Sequence, residues 1–217
     1  MRSRSNFVPR HVLLETVEAI SPVPGRTNAI TWAFVLALAC LVLIAPAIWN
    51  RFPLLQYDTG GYLARWYEGY LVPSRPAAYG LMLAAGAFLD FWPVLLLQAA
   101  LTIWVLTVVL RCLDFGRQPL TLLATVSLLS IVTSLPWLTA ILLTDIFAGL
   151  SVLAFYLVVF CSDRLSRWEC SGLLALLAFA GATHSATLLL IGGLALAAVA
   201  THLLAASSSR GAVCETR

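Results

Sequence analysis

The chain has 217 residues, of which 61% are hydrophobic and 11% charged, and its mean hydropathy is +0.93. So little polar surface excludes an ordinary soluble domain and points to a chain that lives in a lipid bilayer. The formal net charge of +3 rests on arginine without a single lysine; the arginines are scattered between apolar stretches instead of lining one face, so they support no nucleic-acid partner.

Residues 1–28 read as a cytoplasmic N-terminal tail. They are too polar for the apolar core of a secretion signal, and the run that follows is long enough to stay in the membrane. Within them "RHVLLETVEAI" (10–20) predicts a short amphipathic helix at the membrane surface, ended by Pro22 and Pro24. About 20 apolar residues cross the hydrocarbon, so 29–49 is the first span, with Trp32 and Trp49 as interfacial anchors. An outer polar loop follows over 50–75. The next stretch, "PAAYGLMLAAGAFL" (76–89), is 14 residues long and stopped by Asp90 and Pro93, which predicts a half-helix on the periplasmic side.

Further spans are expected over 93–113, 119–135 and 138–160. The apolar stretch 170–206 is too long for one crossing and is interrupted by "GATHSAT", so it divides into helices near 170–182 and 186–204. A cytoplasmic tail, 207–217, closes the chain. The predicted fold class is all-α, a polytopic transmembrane helical bundle of about six spans plus the half-helix, with 29–206 as one membrane module. The arginines agree with this count through the positive-inside rule. With the N-terminus inside, ten fall on the inner side and three, Arg51, Arg65 and Arg75, on the outer side. Counting 76–89 as a full crossing would break that separation.

The same topology brings three titratable groups from separate segments to the outer face. Asp58 lies in the loop, Asp145 about seven residues into a span that starts from the outside, and His184 at the last outer turn. An ionisable group inside a span costs roughly 2.5–3.5 kcal/mol, and such groups usually face a cavity or a partner. Asp58 admits two readings: "YDTGG" is good turn chemistry, with Gly60 and Gly61 supplying positive φ, or the carboxylate is functional. "DTG" also occurs in aspartic proteases, but those need two such aspartates in a β-rich cleft. Arg75, between prolines in "PSRPAAYG", is pre-positioned either to meet a phosphate or carboxylate ligand or to pair with Asp58 or Glu68. His184 either bonds to backbone at a helix break or contacts an anionic substrate. The tyrosines Tyr57, Tyr62, Tyr67, Tyr70 and Tyr79 fit an interfacial belt. Cys40, Cys112, Cys161, Cys170 and Cys214 have neither CxxC nor metal-ligand spacing and read as single buried thiols.

Taken together, the first span, the long outer loop opening on an acidic residue, "RPAAYGLML", "LLTDIFAGL" and "THSATLLLIGGL" resemble the GT-C superfamily of integral-membrane glycosyltransferases. The likeness is to the bacterial relatives of protein mannosyltransferases and of the aminoarabinose transferase, over about residues 29–204. It implies transfer of a sugar from a polyprenyl-phosphate donor to an acceptor outside a bacterial inner membrane, with membrane lipid as surroundings. Carried over to this sequence, it makes Asp58 and Asp145 the catalytic carboxylates and places Arg75 and His184 near the donor phosphate. Tyr62, Trp66 and Tyr67 would stack on the sugar or line the acceptor groove, with Arg65, Glu68 and Tyr79 as further substrate contacts. No ligand cluster demands a metal, although a divalent ion is compatible with Asp58. Family members have more spans than this chain, so it reads as an N-terminal module, complete only with another chain or a missing part. The alternative is a non-catalytic membrane subunit or scaffold that binds a partner chain or lipid through its small-residue helices. A transporter is weaker, because no inverted repeat is visible.

Overall fold

The computed structural model describes residues 29–70, 72–73, 75–115 and 118–214, with side chains as far as residue 204. The N-terminal tail and its expected surface helix lie outside the described residues. Those described form nine α-helices and two 3-10 turns, and one isolated parallel bridge, Leu54 to Ile141, is the extended pairing among them.

Three helices are long and apolar enough to cross a membrane: α1 (Ala29–Asn50), α4 (Trp92–Cys112) and the Ser185–Leu204 part of α9 (Ser185–Cys214). At about 1.5 Å per residue, 20 residues match the roughly 30 Å hydrocarbon core. Half of the α4 span is buried inside the bundle, whereas only 6% of the α9 span is. α4 is therefore the central post and α9 an outer one. The C-terminal stretch expected as a tail from 207 instead continues α9 through Cys214, because "ATHLLAASSSRGAVC" contains no proline and only one glycine to stop a helix.

The loop expected over 50–75 contains a helix, α2 (Tyr57–Tyr67), which overturns the turn reading of "YDTGG". Gly60 and Gly61 lie inside that helix. Positive φ belongs instead to Gly69, at +80°, just past its end. Propensity disfavours two helical glycines, but burial of Thr59, Tyr62 and Ala64 on one face outweighs it. The backbone N–H of Gln56 donates to Thr59 Oγ1 at 3.1 Å and starts the helix. α3 (Ala77–Gly86) follows, extended by a 3-10 turn over Ala87–Leu89. Asp90 and Phe91, with φ of 50° and 63°, turn the chain sharply into α4, where Pro93 suits the first helical turn.

The stretches expected as spans over 119–135 and 138–160 are divided differently, into α5 (Pro119–Val132), α6 (Leu135–Ala140) and α7 (Asp145–Phe160). Between α6 and α7 the backbone of 141–144 leaves the helix and pairs with Leu54. Leu54 N donates to Ala140 O at 3.0 Å, and Leu142 N donates to Leu54 O at 2.9 Å. Side chains satisfy the freed carbonyls: Gln98 Nε2 donates to Ile141 O at 3.3 Å and Thr59 Oγ1 to Leu142 O at 3.0 Å. Non-helical backbone among apolar helices is tolerable only with such partners. Asp145 is thus the first residue of α7 and not a residue seven positions into a longer helix.

α8 (Arg167–Thr183) is capped by Ser166, which accepts from Glu169 N at 3.3 Å while Glu169 Oε2 accepts from Ser166 N at 2.9 Å. At this end of the bundle Arg111, in the last turn of α4, grips Glu169 with two bonds of 2.5 and 2.8 Å. Arg164 Nη1 donates to Asp114 Oδ2 at 2.7 Å. The Arg111 grip holds the Glu169 carboxyl well below the usual carboxylate range, at about 2.

Candidate functional site

α2 carries Asp58 in its first turn and Tyr62 one turn later on the same face. Arg75 folds back onto this face, and its Nη2 donates to Asp58 Oδ1. The guanidinium lies 5.7 Å from the centre of the Tyr62 ring, within cation–π reach. Its stem crosses Gly61, where a Cβ would stand 3.3 Å from Arg75 Cγ. The pair is partly open to solvent, with 39% of the Asp58 and 21% of the Arg75 side chain exposed. Asp58 pushes the Arg75 pKa further up through that bond. The sequence left Arg75 open between a ligand contact and a pair; the structure makes the pair with Asp58.

Behind the pair lies a run of aromatic rings. Tyr62 meets Tyr79 of α3 edge-on at 5.1 Å, Tyr79 meets Phe147 of α7 at 6.1 Å, and Phe147 meets Phe179 of α8 at 5.1 Å. Tyr79 is fully buried, and its hydroxyl has no hydrogen-bond partner among the described residues. An orphan hydroxyl of this kind is costly unless a ligand or water serves it. α2 sits so close on α3 that a Cβ at Gly80 would stand 2.1 Å from Tyr62 O and 2.8 Å from Trp66 Nε1. The Tyr62 hydroxyl is 3.4 Å from Thr144 Oγ1, a second tie of α2 to the broken segment after Thr59, beside the Leu54 pairing just before the helix.

Asp145 follows Thr144 but faces different surroundings. Asp145 is exposed and is one of the residues that line a cavity of about 180 Å³, shared with Thr102, Leu129, Thr133, Leu138 and Leu153. The two threonine hydroxyls there donate to their own helices, at Gln98 O and Leu129 O, and Asp145 is the charged residue of that lining. No hydrogen bond or ion pair joins Asp58 to Asp145 among the described residues. His184 caps α8 in an extended conformation between α8 and α9, and its Nδ1 is buried without a hydrogen-bond partner among the described residues.

The remaining predicted residues lie on the open side of α2. Arg65 Nη1 donates to Gly69 O at 3.2 Å and closes its own helix. Tyr67 is 65% exposed. Glu68 ends α2, and its negative charge pushes the Tyr70 phenol up. The structure therefore gathers Asp58, Arg75, Tyr62 and Tyr79, with Trp66 covering Gly80, and leaves Arg65, Tyr67 and Glu68 aside. Sequence reasoning missed Thr59, Thr144 and Gln98, although a lone glutamine in an apolar span was a visible signal.

Among the described residues no three of His, Cys, Asp and Glu converge. A divalent ion at Asp58 would meet a single carboxylate already engaged by a guanidinium, a poor fit for a hard cation. The arrangement offers instead one base and one cation side by side. No family model, curated protein or solved structure matches the chain.

Proposed function

We propose that the chain is a GT-C-like membrane module that transfers a sugar from a polyprenyl-phosphate donor to an acceptor on the outer side of a bacterial inner membrane. The observation that carries this reading is the Asp58–Arg75 pair on a helix stitched to a broken membrane segment. Broken helices commonly mark sites that handle polar ligands within membranes. In this reading α5, the α6–α7 pair and α8 complete six crossings with α1, α4 and α9, and both termini lie in the cytoplasm.

The step assigns each half of the pair a role. Asp58 takes the proton of the acceptor hydroxyl, and the acceptor oxygen bonds to the sugar's anomeric carbon. The bond from that carbon to the phosphate oxygen breaks, its electron pair stays on the lipid phosphate, and Arg75 stabilises the charge. Tyr79 supplies a hydrogen bond to a ligand oxygen. The test is transfer from labelled polyprenyl-phosphate sugars by the chain in lipid membranes. Asp58→Asn is expected to lower turnover at least about 100-fold, and unchanged turnover would remove Asp58 from the mechanism.

A second reading, a non-catalytic subunit that binds a partner membrane chain, is favoured by α9. Its span is only 6% buried, and nothing lies within 4 Å of a Cβ at Gly192 or Gly193. Co-purification of a partner that is lost on enlarging those glycines, but kept when Asp58 and Asp145 are both neutralised, would establish it.

A further inference from the structure

We propose that the cavity beside Asp145 binds a small free alkylammonium, the carboxylate holding the cation and the leucine-rich wall holding the hydrocarbon. The inference goes beyond sugar transfer and does not depend on it. The cavity has a volume of about 180 Å³ and lies where the end of α5, α6 and the start of α7 meet α4. A cavity of about 150 Å³ with an apolar lining holds a benzene-sized molecule, so this one suits about six to eight non-hydrogen atoms.

The chemistry of the lining selects the charge of the ligand. Among the described residues Asp145 is its charged member, with no lysine, arginine or histidine beside it. Asp145 is exposed and makes no hydrogen bond or ion pair with the other described residues. Thr102 and Thr133 donate their hydroxyl protons to Gln98 O and Leu129 O, and Thr133 Oγ1 also accepts from Leu135 N. The lining side chains therefore offer acceptors and no free donor. A phosphate or a sugar would leave its own acceptors unserved there, whereas an ammonium donates through every N–H and carries the opposite charge. A divalent metal fits poorly, because one carboxylate falls well short of a full oxygen shell. Walls of Leu106, Leu138, Leu150 and Leu153 suit hydrocarbon better than a hydrated ion. An aminolipid headgroup also carries an ammonium, but its phosphate would face the same acceptors without a cation, so the free amine is the better occupant.

Shape supports the same assignment. Gly149 follows Asp145 by one turn on the same face of α7, is exposed and also lines the cavity. A glycine inside a helix is destabilising relative to alanine, and at Gly80 close packing against Tyr62 O requires it. At Gly149 no neighbour does, since a Cβ there would meet nothing within 4 Å. Its small size instead keeps space open next to the acid, and a larger side chain would narrow that space without removing the charge.

The experiment is equilibrium dialysis of radiolabelled 3-methylbutylamine against the full chain in phosphatidylcholine nanodiscs, with empty discs as the blank. Saturable uptake of one amine per chain is expected. Binding of 3-methylbutanol, which has the same shape without the charge, should be weaker by about 10-fold or more. Asp145→Asn, which keeps the shape, and Gly149→Leu, which keeps the charge, should each weaken amine binding to a similar extent, and denaturant unfolding shows whether each variant is folded. The comparison of amine with alcohol on the wild type decides the matter even if a variant does not fold. No saturable uptake, equal binding of amine and alcohol, or unchanged affinity in folded Asp145→Asn would each overturn the proposal. Loss of uptake when phosphatidylethanolamine replaces phosphatidylcholine would give the cavity to a lipid headgroup and overturn it as well.

Discussion

Gly80→Ala tests the packing on which the candidate site depends. The added methyl would stand 2.1 Å from Tyr62 O, where ordinary contact begins near 3.4 Å. α2 must therefore retreat by about 3.4 − 2.1 = 1.3 Å, and the obstacle is backbone that no rotamer change can move aside. Overpacking against backbone belongs near the upper end of its usual range, about 3 kcal/mol. Replacing a helical glycine with alanine returns up to about 1 kcal/mol. The expected net loss is about 2 kcal/mol, or roughly a 30-fold shift toward the unfolded chain.

Gly60→Ala is the matching control, because it lies inside α2 and a Cβ there meets nothing within 4 Å. It keeps the propensity gain without the clash and should stabilise by about 0.5–1 kcal/mol. Both are measured by denaturant unfolding in one detergent, followed by circular dichroism. Opposite signs are expected. If Gly80→Ala unfolds with the same midpoint as the wild type, or shifts it in the direction Gly60→Ala does, α2 does not lie on α3 as described.

The Arg111–Glu169 grip gives a pH dependence. Because the folded-state pKa of Glu169 is depressed to about 2 from 4.5, its contribution is complete above about 4.5 and is lost as pH falls toward 2. With 18% of Glu169 and 35% of Arg111 side chain exposed, the contribution is about 2 kcal/mol. Glu169→Gln should flatten that part of the stability–pH curve, and an unchanged slope would show that the grip contributes nothing. Thr59→Val leaves the Leu142 carbonyl without its donor and should cost about 1–2 kcal/mol in the same unfolding assay. Arg75→Gln breaks a partly exposed pair, so its stability cost should stay below about 1 kcal/mol. A larger fall in sugar transfer would then be chemical in origin and not a result of unfolding.

The long spans were legible because the bilayer sets the length of an apolar run. Expectations of 29–49 and 93–113 fall within a residue of Ala29–Asn50 and Trp92–Cys112. The break at 141–144 was not legible. "ILLT" contains no glycine or proline and would continue a helix anywhere else. Pairing with Leu54, nearly 90 residues earlier, ends it, and local pattern carries no trace of such a partner. α2 was hidden for the opposite reason: two adjacent glycines look like a turn, and only tertiary burial of its Tyr62 face makes a helix there. The Asp58–Arg75 pair was among the alternatives because Arg75, held between prolines, shares its loop with two acidic residues, Asp58 and Glu68. Arg111–Glu169 was not foreseen, since nothing local links the end of α4 to the start of α8.

The break also changes what Asp145 costs. In the interior of a membrane helix its carboxylate would have no donors. At the first position of α7 it stands at the positive end of the helix dipole, worth about 0.3–1 kcal/mol in its favour. A structural reason for an acid therefore exists at this position that sequence reading did not supply, and the cavity around it is separate from the Asp58–Arg75 pair. Asp145→Asn keeps the shape and a side-chain acceptor while removing the charge. It is expected to lower stability by less than about 1 kcal/mol and to leave sugar transfer within a few-fold of wild type, in contrast to Asp58→Asn. A loss of transfer matching that of Asp58→Asn, with unfolding unchanged, would return Asp145 to the chemistry and require the 180 Å³ cavity to open toward the pair during turnover.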